Sequence, residues 1–223
     1  MENFIKILTF THVFAGCSAL ITGALAMIYK SQTPKHRIVG KVYFWSMTHI
    51  FLSGMYLSIH RNSLFFIFIS FFVYHQVITA YRALKLKDLH KGQQPSRIDW
   101  AIEIIVGIAN VCFLIFGGYW YMKGMGAFAL VPAVFGVLGI RSVYQNVQRF
   151  ITKPIDPTHW LQIHIGNMIG SYIGAVTAFL VNQGSHIPIP QVILWLAPTA
   201  ILTPMIAIEL RKIKSGQKLK TIN

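Results

Sequence analysis

Acidic residues and cysteines are scarce in this chain. Its 223 residues include only 6 Asp and Glu, against 20 Lys and Arg, and 2 cysteines. Both cysteines, Cys17 and Cys112, lie within apolar runs and form no Cys-x-x-Cys pair, which argues against a disulfide framework and a cysteine-based metal cluster. The sequence also lacks a nucleophile elbow and a phosphate-binding loop. It therefore contains none of the familiar motifs that would name an enzyme activity.

Apolar residues are abundant and make up 54% of the chain. They are grouped in seven segments of about 20 residues or more, each long enough to cross a hydrocarbon core of about 30 Å as a helix. These segments lie near residues 5–29, 37–59, 62–86, 98–122, 125–149, 158–183 and 188–210. A soluble protein of this length could not bury seven such helices. We therefore predict an all-α integral membrane bundle of seven transmembrane helices that forms one domain over residues 1–223.

The basic residues are distributed unevenly between the two sides of this predicted bundle. If the helices alternate in direction, all of the 20 Lys and Arg lie on one side except Lys6, Arg61 and Lys123. The positive-inside rule then places the N-terminus outside and the C-terminus in the cytoplasm. The basic tail, residues 211–223, is expected to lie against anionic lipid headgroups. The net charge of +14 is thus explained by the membrane and does not indicate a nucleic-acid partner.

The first apolar segment combines one histidine with a row of small residues. His12 is followed by Gly16, Ala19, Gly23 and Ala26 at helical spacing, so all five lie on one helical face. Small residues let a neighbouring helix or a bound group approach the backbone closely. We expect Gly16 and Gly23 to be such points of close packing.

A short basic turn, Lys35-His36-Arg37, follows the first helix and leads to Gly40 and Tyr43 at the start of the second. Basic residues at a membrane edge are a common topology signal. A contact between Arg37 and a lipid headgroup or phosphate is the functional alternative.

Four histidines fall inside the predicted membrane segments: His12, His49, His75 and His164. Ionisable groups in a membrane are costly and usually face the bundle interior. Their approximate depths pair His12 with His49 toward the outside, and His75 with His164 toward the inside. Paired imidazoles from different helices are one way in which a helical bundle holds haem b. Two alternatives stay open, namely single hydrogen bonds between helices and a zinc site of three histidines and a carboxylate, which the spread in depth disfavours.

A second group of ionisable residues lies near the inner ends of the fourth and fifth segments. It consists of Asp99, Glu103 and Arg141. One interpretation is a structural ion pair between Glu103 and Arg141. The other is a relay for protons or ions.

The residues of the first two helices also resemble a known family. The pattern of His12 on a glycine-rich helix, followed by His36-Arg37-x-x-Gly40-x-x-Tyr43, is similar to a bacterial family of predicted multi-pass membrane proteins of unknown function. The resemblance extends over residues 8–60 and implies a location in the bacterial inner membrane. The chain is also loosely similar to two-haem cytochromes of the b561 type, which carry histidines on successive helices and an arginine near a helix end.

The leading functional prediction is a haem-b redox protein that transfers electrons and uses the four intramembrane histidines as ligands. A transporter or channel-like protein with a histidine-lined polar path is the first alternative. The second alternative is a structural membrane subunit without chemistry of its own.

Overall fold

The computed structural model describes residues 1–186 and 188–215, and in that part of the chain the secondary structure is helical. Its long helices are α1 (Glu2–Ile28), α2 (Thr33–His60), α3 (Leu64–Ala83), α4 (Arg97–Met122), α5 (Leu130–Thr152), α6 (His159–Asn182) and α7 (Gln191–Lys214). Short 3-10 turns lie in three connections, at Leu89–Lys91, Gly126–Ala129 and Gly184–His186. Residues 216–223 of the predicted basic tail lie outside the described residues.

Six helices within the described residues are long and apolar enough to cross a membrane. They are α1, α3, α4, α5, α6 and α7. The remaining helix, α2, has 28 residues but is less apolar, because a charged first turn and a row of Ser and His side chains lower its hydropathy. Large apolar side chains such as Phe10, Trp45 and Ile115 are exposed on the outside of the bundle, where they suit lipid. The prediction of an all-helical membrane protein with several apolar helices is confirmed.

Several helix boundaries differ by three to five residues from those predicted, and the largest difference is at the start of α5, which begins at Leu130. α2 begins at Thr33, so Lys35-His36-Arg37 belongs to its first turn rather than to the preceding loop. Pro34 is tolerated there because the first amides of a helix have no intrahelical partner. α3 ends earlier, at Ala83, and α7 continues to Lys214.

α3 lies at the centre of the bundle and packs against α2, α4, α5 and α6. α1 packs against α2 and α6, and α7 packs against α6 and α5. At one end of the bundle, the connections contact other elements, since Lys30 pairs with Glu209 of α7 at 3.3 Å and Lys153 donates to Gln94 of another connection at 3.1 Å. We call this end, which includes residues 29–32, 84–96, 153–158 and 215, the basic end. The other is the opposite end.

The half of the bundle nearer the opposite end has an aromatic and aliphatic core. It contains Phe65, Ile69, Phe72, Phe113, Val131, Phe135 and Trp195. The Phe65 ring is stacked on Trp120 with centroids 5.4 Å apart and meets Trp195 edge-on at 5.0 Å. Because lipid is as apolar as these side chains, such packing stabilises the bundle by van der Waals contact rather than by removal from water.

α4 and α5 approach each other closely at glycines. A Cβ atom on Gly117 would lie 2.8 Å from the Ala133 backbone nitrogen, and one on Gly136 would lie 2.8 Å from that of Leu114. A Cβ atom on Gly139 would clash with the side chain of Asn110. This row of glycines sets the separation of the two helices that carry most of the buried charges.

Of the two glycines predicted to be points of close packing, Gly23 is tightly packed and Gly16 is not. A Cβ on Gly23 would clash with the Tyr172 ring of α6 and lie 3.1 Å from Cε2 of Tyr43, whereas one on Gly16 would have nothing within 4 Å. Gly23→Ala is therefore expected to destabilise the protein by about 1–3 kcal/mol through overpacking. Gly16→Ala is the matched control and should be neutral or stabilising by up to about 1 kcal/mol, because alanine favours the helix. Thermal unfolding of the two variants in detergent compares them, and an equal loss in both would contradict this assignment.

The start of α6 is held by a carboxylate in the preceding loop. Asp156 accepts hydrogen bonds from the amide and hydroxyl of Thr158, both at 2.7 Å, and from Gln162 at 2.5 Å. The hydrogen bond from the Thr158 side chain is the main reason that the pKa of the Asp156 carboxyl lies below its usual value. These bonds fix the helix start and so help to position His164 further along α6.

Candidate functional site

A buried pair of ionisable groups joins α3 to α4. The imidazole Nε2 of His75 lies 3.0 Å from Oε2 of Glu103, and the two side chains are 1% and 3% exposed. His75 precedes the end of α3 by eight residues, which corresponds to about 12 Å along the helix. The nitrogen donates and the carboxylate accepts, because a carboxylate has no proton to give.

Asn146 extends this pair to α5. Its Nδ2 donates to Oε1 of Glu103 at 2.9 Å and lies 3.4 Å from the Thr79 hydroxyl. Both carboxylate oxygens of Glu103 are therefore hydrogen-bonded, one from α3 and one from α5. A carboxylate buried this deeply needs these hydrogen bonds, because an unpaired polar group in an apolar interior costs several kcal/mol.

A second buried carboxylate lies one turn nearer the basic end. Asp99 accepts two hydrogen bonds from the Arg82 guanidinium, at 2.6 Å to Nε and 2.8 Å to Nη2. It also accepts from the amide and hydroxyl of Ser96, both at 2.7 Å, and so caps the start of α4. The Asp99 side chain is 1% exposed but that of Arg82 is 23% exposed. This ion pair thus connects the buried site to the surface of the basic end.

Arg149 of α5 is buried between these two carboxylates without a full set of partners. Its residue is 5% exposed, and within the described part of the chain its Nε and Nη1 have no hydrogen-bond acceptor. A cavity of about 10 Å³ adjoins it, enough for about one water molecule. The cavity is lined by Thr79, Arg82, Asp99, Ile102, Glu103, Arg149 and Phe150. A water there would bridge the guanidinium and a carboxylate.

The predicted ion pair between Glu103 and Arg141 is wrong. Arg141 is exposed, and the partners of Glu103 are His75 and Asn146. The reason is helical rotation, because Arg141 is two residues from Gly139, which faces α4, and two residues correspond to about 200° around the axis. Asp99 and Glu103 lie together as predicted, but Arg149 is the arginine beside them.

Sequence reasoning missed Asn146 and Arg149 as site residues. A signal was present, because Gly136, Gly139 and Asn146 recur on one face at helical spacing, and the two glycines mark that face as the one packed against α4.

His12 and His49 both lie between α1 and α2 but do not face each other as ligands. The Ser53 hydroxyl gives its proton to the His49 carbonyl at 2.5 Å and so accepts from Nδ1–H of His12 at 2.8 Å. The Thr11 hydroxyl donates to the Leu8 carbonyl at 3.0 Å and accepts from Nε2–H of His49 at 3.2 Å. Both rings therefore serve as hydrogen-bond donors between the two helices.

His164 of α6 lies beside His36 rather than in a pair with His75. The two ring centroids are 6.3 Å apart. Nδ1–H of His164 donates to the Ala80 carbonyl of α3 at 3.1 Å, and Nδ1–H of His36 donates to the Ala26 carbonyl of α1 at 2.9 Å. These bonds tie α2 to α1 and α6 to α3 near the basic end.

The two predicted histidine pairs, His12 with His49 and His75 with His164, do not fit haem b in this geometry. His49 and His75 use Nε2, the usual iron-binding nitrogen, for hydrogen bonds to Thr11 and Glu103. The zinc alternative is not assembled either, since no three His, Cys, Asp or Glu side chains in the described residues are grouped to hold a metal ion. Haem binding itself stays a prediction.

The motif His36-Arg37-x-x-Gly40-x-x-Tyr43 has a structural role at two of its positions. His36 bonds to α1, and the buried Tyr43 hydroxyl lies 2.8 Å from that of Ser171 in α6. Arg37 is exposed, and a Cβ on Gly40 would have nothing within 4 Å. The motif thus holds α2 against its neighbours and leaves Arg37 free to face solvent or lipid headgroups.

Comparison with known protein families gives a match over about the first half of the chain. A family model described as a predicted membrane protein (DUF2306) matches residues 9–116. No curated protein and no solved structure matches the chain, and the similarity to b561-type cytochromes is not shown. The matched region includes His75, Asp99 and Glu103 but ends before Asn146 and Arg149. Over residues 9–116, this chain of several apolar helices therefore matches the predicted membrane protein family DUF2306, a family of unknown function.

Proposed function

We propose that this protein transports protons across the bacterial inner membrane and that the His75–Glu103 pair binds the transported proton. In this proposal all seven helices cross the membrane. α2 has 28 residues and is thus about 42 Å long, and it packs between α1 and α3. The concentration of Lys and Arg at the basic end supports a cytoplasmic location for that end and for the C-terminus.

The observation that carries the proposal is the burial of His75 and Glu103 within a bundle of apolar helices. Ionisable side chains in a membrane are expensive and commonly mark proton or ion paths. Histidine is suited to this role because each of its two ring nitrogens can either carry a proton or accept one. The bond from Nε2–H to Glu103 is made by both the neutral and the protonated ring. The pair can therefore gain or lose a proton at Nδ1 of His75 without breaking its connection between α3 and α4.

A polar route connects this pair to the basic end. It passes from Glu103 by the small cavity at Arg149 to the Asp99–Arg82 pair, whose arginine reaches the surface. The positive charge of Arg149 compensates the carboxylates and would orient a water in the cavity. Protons can move along such a chain of water and carboxylates in steps of one hydrogen bond.

Among the described residues, the side of His75 that faces the opposite end is mostly apolar, and its buried polar group is Asn110 of α4, whose Nδ2 donates to the Val106 carbonyl at 2.8 Å. Phe72, Phe113 and Phe135 occupy that side within the aromatic and aliphatic core. This arrangement favours a carrier, in which the helices must rearrange to expose the site to the other side, over an open channel. The structural-subunit alternative differs in requiring no change of protonation at His75 or Glu103.

Proteoliposomes that contain the full chain and an internal pH-sensitive dye test this function. A potassium diffusion potential, negative inside, is expected to drive proton uptake in the wild type and not in His75→Asn or Glu103→Gln. His60→Asn, at the exposed end of α2, is the matched control and should transport normally. Wild-type vesicles that take up protons no faster than protein-free vesicles, or variants that transport like the wild type, would contradict the proposal.

A further inference from the structure

Two histidines at the basic end, His36 and His164, are arranged differently from the others. They come from α2 and α6, their ring centroids are 6.3 Å apart and their planes are inclined by 78°. Both rings are half-buried. They lie within about 8 Å of the starts of their helices, on the side of α3 that faces away from the Glu103 network.

The hydrogen bonds of the two rings fix which nitrogen is free. Each Nδ1 lies against a backbone carbonyl, that of Ala26 at 2.9 Å and that of Ala80 at 3.1 Å. A carbonyl can only accept, so each Nδ1 carries the proton and each Nε2 of the neutral ring presents a lone pair. Among the residues that the structure describes, neither Nε2 has a hydrogen-bond partner. Histidines that bind metals commonly show this pattern, in which one ring nitrogen donates to a carbonyl or carboxylate and the other binds the metal.

The orientation of the rings is set by the bundle rather than by the histidines themselves. Each carbonyl acceptor belongs to a helix other than the one that carries the ring, namely α1 for His36 and α3 for His164. Four helices therefore fix the two rings before any ligand binds. Such fixed ligand atoms lower the cost of ordering the site on binding.

We infer that His36 and His164 are the two protein ligands of one transition-metal centre. With metal–nitrogen bonds of about 2.0–2.1 Å, two imidazoles on opposite sides of one metal have ring centres about 6 Å apart, which agrees with the observed distance. No third His, Cys, Asp or Glu side chain in the described part of the chain completes the group. The other coordination positions must then be filled by non-protein atoms, either the macrocycle of a haem or the waters of a bare ion.

The charge around this pair favours haem over a bare cation. Lys87 lies over the Trp160 ring at 4.6 Å, and Lys35 lies over Tyr29 at 5.5 Å. Both residues are exposed at the basic end, as is Arg37. Such cations would repel a free divalent ion but could pair with the two carboxylates of a haem. When bound, the haem would supply a one-electron redox centre near this face of the membrane.

The test uses variants that keep the carbonyl hydrogen bond and remove the ligand atom. The amide nitrogen of asparagine can replace Nδ1–H, so His36→Asn and His164→Asn lose only the Nε2 lone pair. His90→Asn is the matched control. Nδ1–H of His90 also donates to a carbonyl, that of Lys87 at 3.1 Å, but replacing His90 leaves His36 and His164 unchanged. The full chain, purified in detergent, is titrated with hemin in one arm and with Zn²⁺ in the other.

One equivalent of hemin, with the absorption and electron-spin resonance of a low-spin iron bound by two histidines, is expected for the wild type and for His90→Asn. Each Asn variant of the pair should bind at least about 10-fold more weakly. One equivalent of Zn²⁺ with the same dependence on the variants would support the site with a bare ion instead. Binding of neither probe, or affinities unchanged in both variants, would overturn the inference. If the variants do not fold, X-ray absorption of the loaded wild type decides, since two imidazole ligands are expected and any other number contradicts the site.

Discussion

Glu103→Ala is expected to lower the free energy of unfolding by about 3–5 kcal/mol, the usual effect of removing one partner from a buried charged network. The substitution removes the acceptor of the His75 Nε2–H and the shorter hydrogen bond of Asn146, and Arg149 loses one of the two carboxylates whose charge acts on it. Unfolding of the purified protein in detergent, followed by circular dichroism, measures the loss. Glu2→Ala provides a control, because its ion pair with Lys6 is exposed and such pairs contribute about 0–1 kcal/mol.

A double variant separates the interaction between His75 and Glu103 from the other effects of each substitution. His75→Ala removes the main donor to Glu103, so the loss in the double variant should be smaller than the sum of the two single losses. Arg141→Ala should have an effect within about 0.5 kcal/mol, because Arg141 is exposed. Additive losses for His75 and Glu103, or a large loss at Arg141, would show that the network does not have the described partners.

Alanine at Gly136 or Gly117 is expected to destabilise the bundle by about 1–3 kcal/mol and to reduce proton uptake. At both positions the new Cβ would meet a backbone nitrogen at 2.8 Å, and backbone cannot rotate away as a side chain can. α4 and α5 would have to separate, which lengthens the bond between Asn146 and Glu103.

Gly118→Ala is the matched control for this effect. It neighbours Gly117 on α4, but a Cβ there would have nothing within 4 Å. Thermal unfolding and proton uptake are measured for all three variants. If Gly118→Ala were as damaging as the other two, the loss would come from the helix backbone rather than from the contact between α4 and α5.

The helices are largely predictable from the sequence, because a membrane requires long apolar runs and charged turns between them. The start of α2 is harder to place, since Pro34 can mark the end of α1 but is also favoured in a first helical turn. Gly16 and Gly23 cannot be distinguished from the pattern alone. Both lie on one face of α1, and only the position of Tyr172 on α6 decides which of them is in close contact.

The partners of the buried groups are less predictable. The sequence places Asp99 and Glu103 one turn apart on one helical face, and it places Arg141 and Asn146 on α5 without saying how α5 is rotated about its axis. That rotation is set by glycine contacts with α4. Similarly, the depth of His164 is sufficient to place it toward the basic end, but its neighbour depends on the packing of α6 against α3 and α1, which no local pattern specifies.

The central claim is that the His75–Glu103 pair gains and loses a proton while it stays buried. Infrared difference spectra of the full chain in lipid nanodiscs, recorded over a series of pH values, test it most directly. We expect carboxylate bands that are absent in Glu103→Gln and that no longer depend on pH in His75→Asn, with His60→Asn unchanged. Identical difference spectra for the wild type and Glu103→Gln would contradict the claim and leave the pair a purely structural link between α3 and α4.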